Sequence, residues 1–587
     1  MNHRPVAAGA TEEPKSPGSF WDFDGGHVTK YVRQLREGMV GIAPDVSIDA
    51  NIEGAWRLDH SNPTWHFRLH SFGFLNELSN AYIATGDPEI PGAAEHLVAG
   101  WQRDCGIPDD TAPWHGHQTA LRASALAAAA DIGVLDRAKY LELLRVHAAW
   151  LAEDEHYDGA WNHGLDQCIA LIDVSYVLED EAFAGTAIDR IVDAIEEYVD
   201  DEGVVSEQAV HYAGYMYTRL RLVQQKLACL TVELPPVFER VELIPEFLQW
   251  ATRPDGHAVP LGDTQSGPWS SLIPELVRTQ STRGGAHRPS GNHRIYRDGW
   301  AFYRSGWEGW ERGEPAADSL LTVRYGTFRR IHGHRDHTSI TWYSSGGTVI
   351  EDPGFSGYED RNQRISEQGE SSHNGVVLEG AGRFRWENGS PILRQSTSYF
   401  GTEHEPVHSL VVGGISYVEA SRIRSIVHVP SRQIVIVHDV VNAKCDVSAS
   451  TRWLLSPDFT ISDSHCDDRQ VGFRDGDREL VVRVLQKDVE VEVSGAQDGS
   501  AGRIATDLGT FRTCPVIKTG ATGREPEMTA VFSLERGLAV EEIGGARMGW
   551  SLRFPDGEAV QILRAGDIGL NVEVTRPLLT RKYDHLG

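Results

Sequence analysis

The chain has 587 residues, of which 40% are hydrophobic and 9% aromatic, so it can bury substantial cores and general disorder is excluded. This length exceeds one small domain and predicts two large domains or several smaller ones. A formal net charge of −29 argues against nonspecific nucleic-acid binding, which needs a basic surface, and a polyanionic ligand would need a local basic pocket.

The first 20 residues, MNHRPVAAGATEEPKSPGSF, are mostly polar and predict a mobile tail. They contain no apolar core between a basic segment and a cleavage site, and no stretch of the chain approaches the roughly 20 apolar residues of a membrane span. Six cysteines are scattered without a CxxC pair, which favours reduced thiols over a disulfide framework. We therefore expect a cytoplasmic protein with no membrane partner.

From residue 21 to about residue 278, apolar side chains recur with the period of a helix. The clearest segments are 72–85, 117–130, 137–152, 184–199 and 207–228. Short breaks rich in Gly, Pro and Asp separate them. Successive helices with short links predict a helical toroid or solenoid, although no fixed-period repeat is visible.

Within this helical part, the stretch 114–118, WHGHQ, is followed four residues later by Arg122. Trp114 would offer a platform for a sugar ring, and Arg122 would offer a clamp for a carboxylate. Trp65 and His66 could form a similar pair. The alternative for these residues is packing or a solvated surface, because Trp is usually buried and Arg is often solvated.

A second cluster lies at 161–167, WNHGLDQ, where a helix is predicted to begin. Asn162 and Asp166 are four residues apart, as are His163 and Gln167, so each pair can share one helix face. The alternative is an Asn N-cap followed by a solvated first turn.

The stretch 206–215, SEQAVHYAGY, is more specific. Gln208, His211, Tyr212 and Tyr215 fall at positions i, i+3, i+4 and i+7, which places hydrogen-bonding side chains along one helix face. A core stripe would normally be Leu, Ile or Val, so we predict contacts with a substrate. The alternative is aromatic packing between helices with satisfied hydroxyl groups.

Composition shifts to Gly, Ser, Arg and Pro over 279–292, which predicts a domain boundary. The candidate strands after it are 300–304, 319–325, 424–429, 433–437, 480–485 and 560–563. Many short, closely spaced strands predict an antiparallel sandwich rather than a βαβ sheet. The predicted α+β chain has a tail at 1–20, a helical (α/α) toroid at 21–285 and an antiparallel β-sandwich at 286–587.

The segment 331–380 is rich in possible metal ligands. His332 and His334 alternate, Asp352 precedes a Pro-Gly turn, and His373 follows two serines. Imidazole and carboxylate groups are what zinc binds where thiols are not used, so we predict a zinc site with a spare histidine beside it.

Part of this segment is predicted to be a hairpin. Its strands are 337–343 and 348–352, with a tight turn at Gly346-Gly347. That register places Asp352 opposite Thr341, so His334 must lie in a segment that bends back before the first strand.

The order HGHRDHTS at 332–339, VIEDPG at 349–354 and SSHNGVVLEG at 371–380 resembles the signature of the heparinase II/III-like polysaccharide lyases. The Asn-His-Gly turn at 162–164 and the Glu-Gln-x-x-x-Tyr pattern at 207–212 resemble the helical landmarks of the same family. Gly375 departs from the threonine or other small residue that is more usual there. The resemblance implies a ring of helices joined to a C-terminal antiparallel β-sandwich, and cleavage of uronic-acid polysaccharides by β-elimination.

The resemblance also implies roles for individual residues. The ligands of a structural zinc ion would be His334, Asp352 and His373, while His332 faces the substrate. The residues that act on the uronate would be Asn162 as the carboxylate ligand, His163 and Asp166 as its assistants, and Tyr212 as the proton-transfer residue.

The chemistry of β-elimination suits these residue types. Removing the C5 proton puts charge onto the uronate carboxylate, so one lost hydrogen-bond donor there can cost on the order of 100-fold in rate. A tyrosine, with a pKa of about 10, suits the acid that protonates the departing oxygen, and a neutral His332 suits the base. We expect His332 as base and Tyr212 as acid for one uronate epimer, and Tyr212 in both roles for the other.

The expected partner is an acidic polysaccharide or oligosaccharide, whose carboxylate or sulfate groups Arg335 and Arg364 could meet beside the metal loop. Two alternatives stay open. A glycoside hydrolase would need two carboxylates across the scissile bond, for which Asp158, Asp166 and Glu207 are available. A non-catalytic, zinc-stabilised glycan-binding or polysaccharide-assembly protein would need neither proton-transfer residue.

Overall fold

The structure, a computed structural model, describes residues 30–43, 46–58, 65–109, 111–268, 289–325, 332–358, 360–380, 392–400, 406–413, 420–467, 469–498, 501–544, 549–565, 569–576 and 579–580. The predicted tail at 1–20 and the predicted domain boundary at 285 lie outside the described residues. Contacts divide the chain into a helical unit, Met1–Asp201 with Tyr215–Glu242, and a sheet unit, Glu202–Gly214 with Leu243–Gly587.

The described helices are α1 Lys30–Arg36, α2 Trp65–His70, α3 Gly73–Thr85, α4 Glu89–Cys105, α5 Gly116–Asp131, α6 Arg137–Ala152, α7 Asn162–Leu178, α8 Glu181–Tyr198, α9 Val210–Cys229, α10 Ile244–Trp250, α11 Glu308–Arg312 and α12 Arg361–Glu367. Short 3-10 helices lie at Ala55–Arg57, Ala112–Trp114, Asp154–His156, Pro236–Leu243, Pro315–Ala317, Glu370–Ser372 and Pro430–Arg432. No described helix is both long enough and apolar enough to span a membrane.

Local capping explains where two of these helices begin. Asp136 accepts a hydrogen bond from the backbone N–H of Ala138, so α6 starts at the residue that periodicity predicts. Asp180 caps α8 in the same way through the N–H of Ala182. The predicted start at residue 184 is therefore three residues late, because apolar periodicity misses a capped polar first turn.

The described strands are β1 Met39–Ala43, β2 Val46–Asp49, β3 His293–Tyr296, β4 Trp300–Arg304, β5 Leu320–Arg324, β6 Ser339–Ser344, β7 Gly347–Ile350, β8 Val376–Glu379, β9 Ile392–Phe400, β10 Pro406–Gly413, β11 Ala420–Val429, β12 Ile434–Ala443, β13 Val447–Leu454, β14 Thr460–Asp467, β15 Gln470–Asp475, β16 Arg478–Val484, β17 Glu490–Ser494, β18 Gly502–Asp507, β19 Thr510–Cys514, β20 Val516–Gly523, β21 Glu527–Ser533, β22 Ala539–Ile543, β23 Gly549–Arg553, β24 Ala559–Ala565, β25 Gly569–Arg576 and β26 Leu579–Thr580. All six predicted strands after the boundary are confirmed. Neighbouring strands in the described sheets pair antiparallel, as at β11 with β12 and at β5 with β6.

The sheet unit is layered. In the described chain, the largest sheet has the order β14-β15-β16-β21-β12-β11-β10-β9, and the sheets β3-β4-β5-β6-β7, β17-β20-β13-β8 and β22-β23-β24-β25-β26 accompany it. One buried cluster joins Trp342 of β6 to Val435 and Val437 of β12. A second cluster joins Ile434 and Ile436 of β12 to the β22–β26 sheet. Both faces of β12 are therefore buried, which explains its unbroken apolar sequence.

The predicted hairpin at 337–352 exists, but its turn is wrong by one residue. Ser345 and Gly346 occupy the turn, both with positive φ (52° and 80°), and Gly347 already pairs with Ser344. A register shift follows beside Trp342. Asp352 consequently lies beyond the end of β7 rather than opposite Thr341.

Candidate active site

The three predicted metal ligands come together in the sheet unit. His334, Asp352 and His373 are buried, and one ligand atom from each lies within 4.8 Å of those of the other two. Nδ1 of His334 and Nε2 of His373 are buried without a hydrogen-bond partner among the described residues. Buried polar atoms are rarely left so, and these nitrogens suit a metal ion that binds imidazole and carboxylate groups. The residues therefore fit the predicted zinc.

The loop that carries His373 is held from several sides. The Asn374 side chain donates to the carbonyls of Ile340 (2.9 Å) and Glu351 (2.6 Å). Arg424, which forms a buried ion pair with Asp439, donates to the Asn374 carbonyl at 2.7 Å. These bonds fix the backbone of the loop that carries His373, one of the predicted metal ligands.

Gly375, the departure from the family pattern, is explained by close packing in the same loop. A Cβ atom at this position would lie 2.5 Å from the carbonyl oxygen of His337. The backbone therefore comes too near for a side chain without a shift of the loop.

One buried carboxylate, Asp263, lies between His332 and the proposed metal-ligand group, which consists of His334, Asp352 and His373. Its Oδ1 lies 3.0 Å from Nε2 of His334, and its Oδ2 lies 3.0 Å from Nδ1 of His332 and 2.8 Å from Nη1 of Arg364. Burial acts to raise the pKa of Asp263, but the hydrogen bonds from the two histidines outweigh it, so the pKa lies below its usual value.

His332 and Tyr212 lie face to face. Their ring centroids are 3.4 Å apart with an interplanar angle of 8°. The Tyr212 hydroxyl lies 2.6 Å from the Tyr358 hydroxyl, which in turn donates to Oδ2 of Asp263 at 3.3 Å. The two side chains are therefore close enough to contact the same sugar ring, as the predicted acid and base roles require.

The Tyr212 hydroxyl keeps its proton near neutral pH. Burial, with smaller contributions from the charges of Asp263 and Glu207, raises the pKa of Tyr212 to about 12, although the Tyr358 hydrogen bond and Arg364 oppose this. Tyr212 therefore suits the acid role directly.

His332 is less open to a substrate than the sequence predicts. Its Nδ1 faces Asp263, and its buried Nε2 lies 3.4 Å from a carboxylate oxygen of Glu207 without the alignment of a hydrogen bond. Burial lowers the pKa of His332, against the opposing hydrogen bond to Asp263. A direct role as base therefore requires the imidazole to turn away from Glu207.

The predicted polar helix face at 208–215 is only partly present. Helix α9 begins at Val210, so Gln208 precedes it, with a φ of 58°, and is buried. The prediction that Gln208 lies on the polar face of this helix is wrong, because its positive φ places it outside the helix, before the first turn. His211 lies in the first turn of α9, where burial and the charge of His332 lower its pKa, and Tyr215 follows one turn later.

In the helical unit, Asp166 forms a second carboxylate cluster. Its Oδ2 lies 2.9 Å from both His117 Nε2 and the Tyr215 hydroxyl, and its Oδ1 lies 3.1 Å from Nε of Arg219. Burial acts to raise the pKa of Asp166, but the His117 hydrogen bond and the Arg219 charge hold it below its usual value. Asp166 is nearly fully buried, so its predicted contact with a substrate would act through these partners.

Asn162 is the first residue of α7, and its side chain accepts from the N–H of His163. The His163 ring stacks on His117 at 4.0 Å and lies 4.3 Å from the ring of Trp161. Trp161, not Asn162, is the N-cap residue. The solvated first turn that spacing allows is not found, since Asn162 and Asp166 are both buried.

Arg122 and Trp114 require a correction, because both belong to the interior of the helical unit. Arg122 is fully buried and donates to His147 Nε2 (2.8 Å) and to the carbonyls of His70 (2.9 Å) and Pro113 (2.8 Å). Trp114 is 2% exposed, and its indole N–H donates to the Cys105 carbonyl. Arg122 stacks on this aromatic core instead of clamping a carboxylate.

Arg335 and Arg364 differ in their surroundings. Arg335 is exposed, and its predicted contact with a substrate stays a prediction. Arg364 is half-buried, bonded to Asp263 and stacked 4.5 Å from the Tyr358 ring centroid.

Three residues of the site escape sequence reasoning. Asp263 stands in a Pro-Leu-Gly-Asp stretch that is typical of a turn, and Tyr358 belongs to none of the motifs. Glu207 begins the Glu-Gln-x-x-x-Tyr pattern, but the sequence gives it a role only in the hydrolase alternative. The sequence does place a glycine, Gly262, directly before Asp263, and the structure uses it at a φ of 64°, which glycine adopts readily.

Residues 294–517 match the family model for the heparinase II/III-like C-terminal domain. This part of the chain is similar to that domain. The match confirms the resemblance drawn from the motifs at 332–339, 349–354 and 371–380. No curated protein sequence matches the chain.

Solved heparinases share the fold. The heparan sulfate lyase HepC from Pedobacter heparinus superposes with a TM-score of 0.68 at 15% identity, over 92% of this chain and 90% of that protein. A heparinase III structure gives a TM-score of 0.69 at 14% identity, over 95% of this chain and 89% of that one. The predicted architecture, an (α/α) toroid followed by an antiparallel β-sandwich, is confirmed.

Proposed function

We propose that this protein is a polysaccharide lyase that cleaves a uronic-acid-containing glycan by β-elimination. The observation that carries the proposal is the stacked pair of Tyr212 and His332, with ring centroids 3.4 Å apart. Elimination needs one group that accepts a proton and one that donates a proton, and this pair offers both. The similarity in fold to the heparan sulfate lyase HepC supports the choice of substrate class.

In this mechanism, Tyr212 is the acid. The C5–H bond of the uronate breaks, a C4=C5 double bond forms, and the C4–O bond breaks as the departing oxygen takes the Tyr212 hydroxyl proton. A pKa raised to about 12 keeps that proton in place until the leaving oxygen acquires charge. The group that took the C5 proton then releases it to water, and water returns a proton to Tyr212, which restores both groups.

His332 is the proposed base for one uronate epimer. Because Asp263 accepts from Nδ1, the lone pair of the imidazole lies on Nε2. Nε2 faces Glu207 in the free protein, so the imidazole must turn toward C5 when the sugar binds. For the other epimer we keep Tyr212 in both roles, which requires its phenolate. Asn162 stays the predicted ligand of the uronate carboxylate.

The zinc ion belongs to the proposal as a structural element. His334, Asp352 and His373 would hold it, and it would supply a cross-link between the loops that carry these residues, with no part in proton transfer. The support for this assignment is that Nδ1 of His334 and Nε2 of His373 are buried without a hydrogen-bond partner among the described residues.

The test is to incubate the protein with a panel of uronate-containing glycans and to follow ultraviolet absorbance and new reducing ends. Elimination gives both signals, because the product carries an unsaturated uronate. New reducing ends without absorbance would identify a hydrolase, and glycan binding with neither signal would identify a non-catalytic protein. Either outcome would end the lyase proposal.

The division of roles is tested in deuterated water on a substrate that the parent cleaves. Tyr212→Phe keeps the base, so it should still exchange the C5 hydrogen while cleavage stops. His332→Ala should lose both exchange and cleavage for the epimer on which His332 acts. Exchange that persists in His332→Ala would remove His332 from the base role.

A further inference from the structure

We propose that Asp263 is a positioning residue that couples the metal-ligand group to the catalytic pair, by fixing the orientation and the tautomer of both His334 and His332. The carboxylate is fully buried, and it gives one oxygen to each imidazole at 3.0 Å. This inference rests on the proposed function for its catalytic half and on the proposed zinc site for its metal half.

The tautomer argument follows from the chemistry of a carboxylate, which only accepts hydrogen bonds. The nitrogens that face it, Nε2 of His334 and Nδ1 of His332, must therefore carry hydrogen. The Tyr358 hydroxyl, 3.2 Å from the same Nδ1 of His332, donates its own proton to Asp263. The remaining lone pairs lie on Nδ1 of His334 and on Nε2 of His332, whose 3.4 Å contact with the Glu207 carboxylate is not a hydrogen bond. One side chain thus prepares a ligand for the metal and a base for the sugar.

Asp263 is itself held in place. Its backbone N–H donates to the His332 carbonyl at 2.8 Å, and a Cβ atom at Gly262 would lie 2.9 Å from the same carbonyl and 2.3 Å from that of Gln208. The Oδ2 atom also accepts from Arg364 and from the Tyr358 hydroxyl. With backbone and side chain both bonded, the carboxylate can orient its partners, as outer-shell carboxylates do for metal-bound histidines.

The decisive variant is Asp263→Asn, which keeps the shape but has one acceptor oxygen and one donor nitrogen. Only one of the two imidazoles can face the amide oxygen, and the charge is lost from both hydrogen bonds. We therefore expect zinc affinity and kcat both to fall, each by about 10- to 100-fold, with KM nearly unchanged. Asp263→Glu keeps two acceptors one methylene farther out and should lie between the parent and Asp263→Asn in both properties.

The matched control is Asp255→Asn. Asp255 also lies between an arginine and a histidine, bonded to Arg253 at 3.1 Å and 3.3 Å from His257 Nδ1, but among the contacts described it touches none of the proposed ligands. It should leave zinc affinity and kcat within about twofold of the parent. Thermal unfolding of every variant separates lost positioning from lost folding, and Asp263→Glu carries the test if Asp263→Asn does not fold.

Zinc affinity is measured on the full chain by competition with a chromophoric chelator, and kcat and KM by formation of unsaturated product. A change in only one of the two properties, or in neither, would overturn the coupling. A parent that binds no zinc would overturn it while leaving the lyase assay intact. A parent that binds zinc but yields no unsaturated product refutes the proposed function, and zinc affinity then decides whether Asp263 orients His334.

Discussion

Two buried aspartates, Asp166 in the helical unit and Asp263 in the sheet unit, are surrounded by the same kinds of side chain. Each accepts hydrogen bonds from a histidine and a tyrosine, and each forms an ion pair with an arginine. Each also has a pKa below its usual value despite burial, because its donors outweigh desolvation. Residue composition alone therefore does not separate the two clusters.

The two clusters differ in the surroundings of the histidine ring nitrogens that do not face the aspartate. Among the described residues, the other ring nitrogen of each histidine at Asp263 is buried without a hydrogen bond: Nδ1 of His334 lies in the proposed metal-ligand group, and Nε2 of His332 lies 3.4 Å from the Glu207 carboxylate. At Asp166, His117 stacks on His163, which forms an aromatic surface instead. The two clusters therefore differ in the surroundings of the histidine partners and not in the kinds of side chain around the carboxylate.

The largest expected effect comes from removing a metal ligand, which tests whether only the Asp263 cluster is tied to a metal. His373→Ala should reduce bound zinc from one equivalent to none in elemental analysis, because two remaining ligands hold zinc poorly. His428→Ala, which removes a buried histidine of β11, should keep the full equivalent. A zinc-free parent, or full zinc in His373→Ala, would contradict the assignment.

Asp166→Asn tests the opposite cluster. Loss of the charge that pairs with Arg219 and His117 should lower the free energy of unfolding by about 2 kcal/mol, measured with urea, and leave bound zinc unchanged. Asp458→Asn, at an exposed pair with Arg512, should cost less than about 0.5 kcal/mol. Zinc loss in Asp166→Asn would erase the distinction between the clusters.

Tyr358→Phe sharpens the comparison within the sheet unit. Its hydroxyl donates to Asp263 and contacts the Tyr212 hydroxyl, and a hydrogen bond to a charged group contributes about 1.5 kcal/mol. We expect kcat for unsaturated product to fall by about tenfold. Tyr31→Phe, which removes a hydroxyl bonded to the Gly41 carbonyl, is the control. Parental kcat in Tyr358→Phe would exclude the hydroxyl from the network.

The smallest effect concerns buried histidines elsewhere in the sheet unit. Burial, with the charge of His293, lowers the pKa of His408 to about 3, and burial holds the pKa of His428 well below its usual value. Below about pH 6.5 these two histidines bind protons in the unfolded chain but stay neutral in the folded chain. The free energy of unfolding therefore falls as pH decreases.

Between pH 7 and pH 5.5 we expect a loss of about 1 kcal/mol per histidine in the free energy of unfolding. His408→Gln should remove its share of this slope. An unchanged slope in that variant would show that His408 titrates alike in both states.

Sequence predicts the fold well where the signal is local. Helix α6 and strand β4 have the predicted bounds because periodicity and an Asp136 cap act within a few residues. The predicted position of the hairpin turn is wrong because Ser345 occupies the turn with a positive φ, which is unusual for a residue other than glycine. The predicted position of Gln208 on a helix face is wrong for the same reason, because its positive φ places it before the helix begins.

The site is predicted only as far as its motifs reach. His334, Asp352 and His373 come together as their residue types and the family resemblance predict, whereas their role as zinc ligands and the role of Tyr212 in proton transfer stay predictions. Asp263 lies 69 residues before His332 in the chain, and no local pattern indicates that its carboxylate meets that imidazole. Arg122 shows the converse error, because an arginine near aromatic residues fits a buried core as well as a sugar-binding surface.

The central claim, that the Tyr212 hydroxyl proton is delivered to the departing glycosidic oxygen, is tested most directly by the rate of unsaturated product formation in Tyr212→Phe. We predict a loss of at least about 100-fold, with bound zinc and the melting temperature of the parent retained. Turnover near the parental rate in a folded, zinc-loaded Tyr212→Phe would contradict the mechanism.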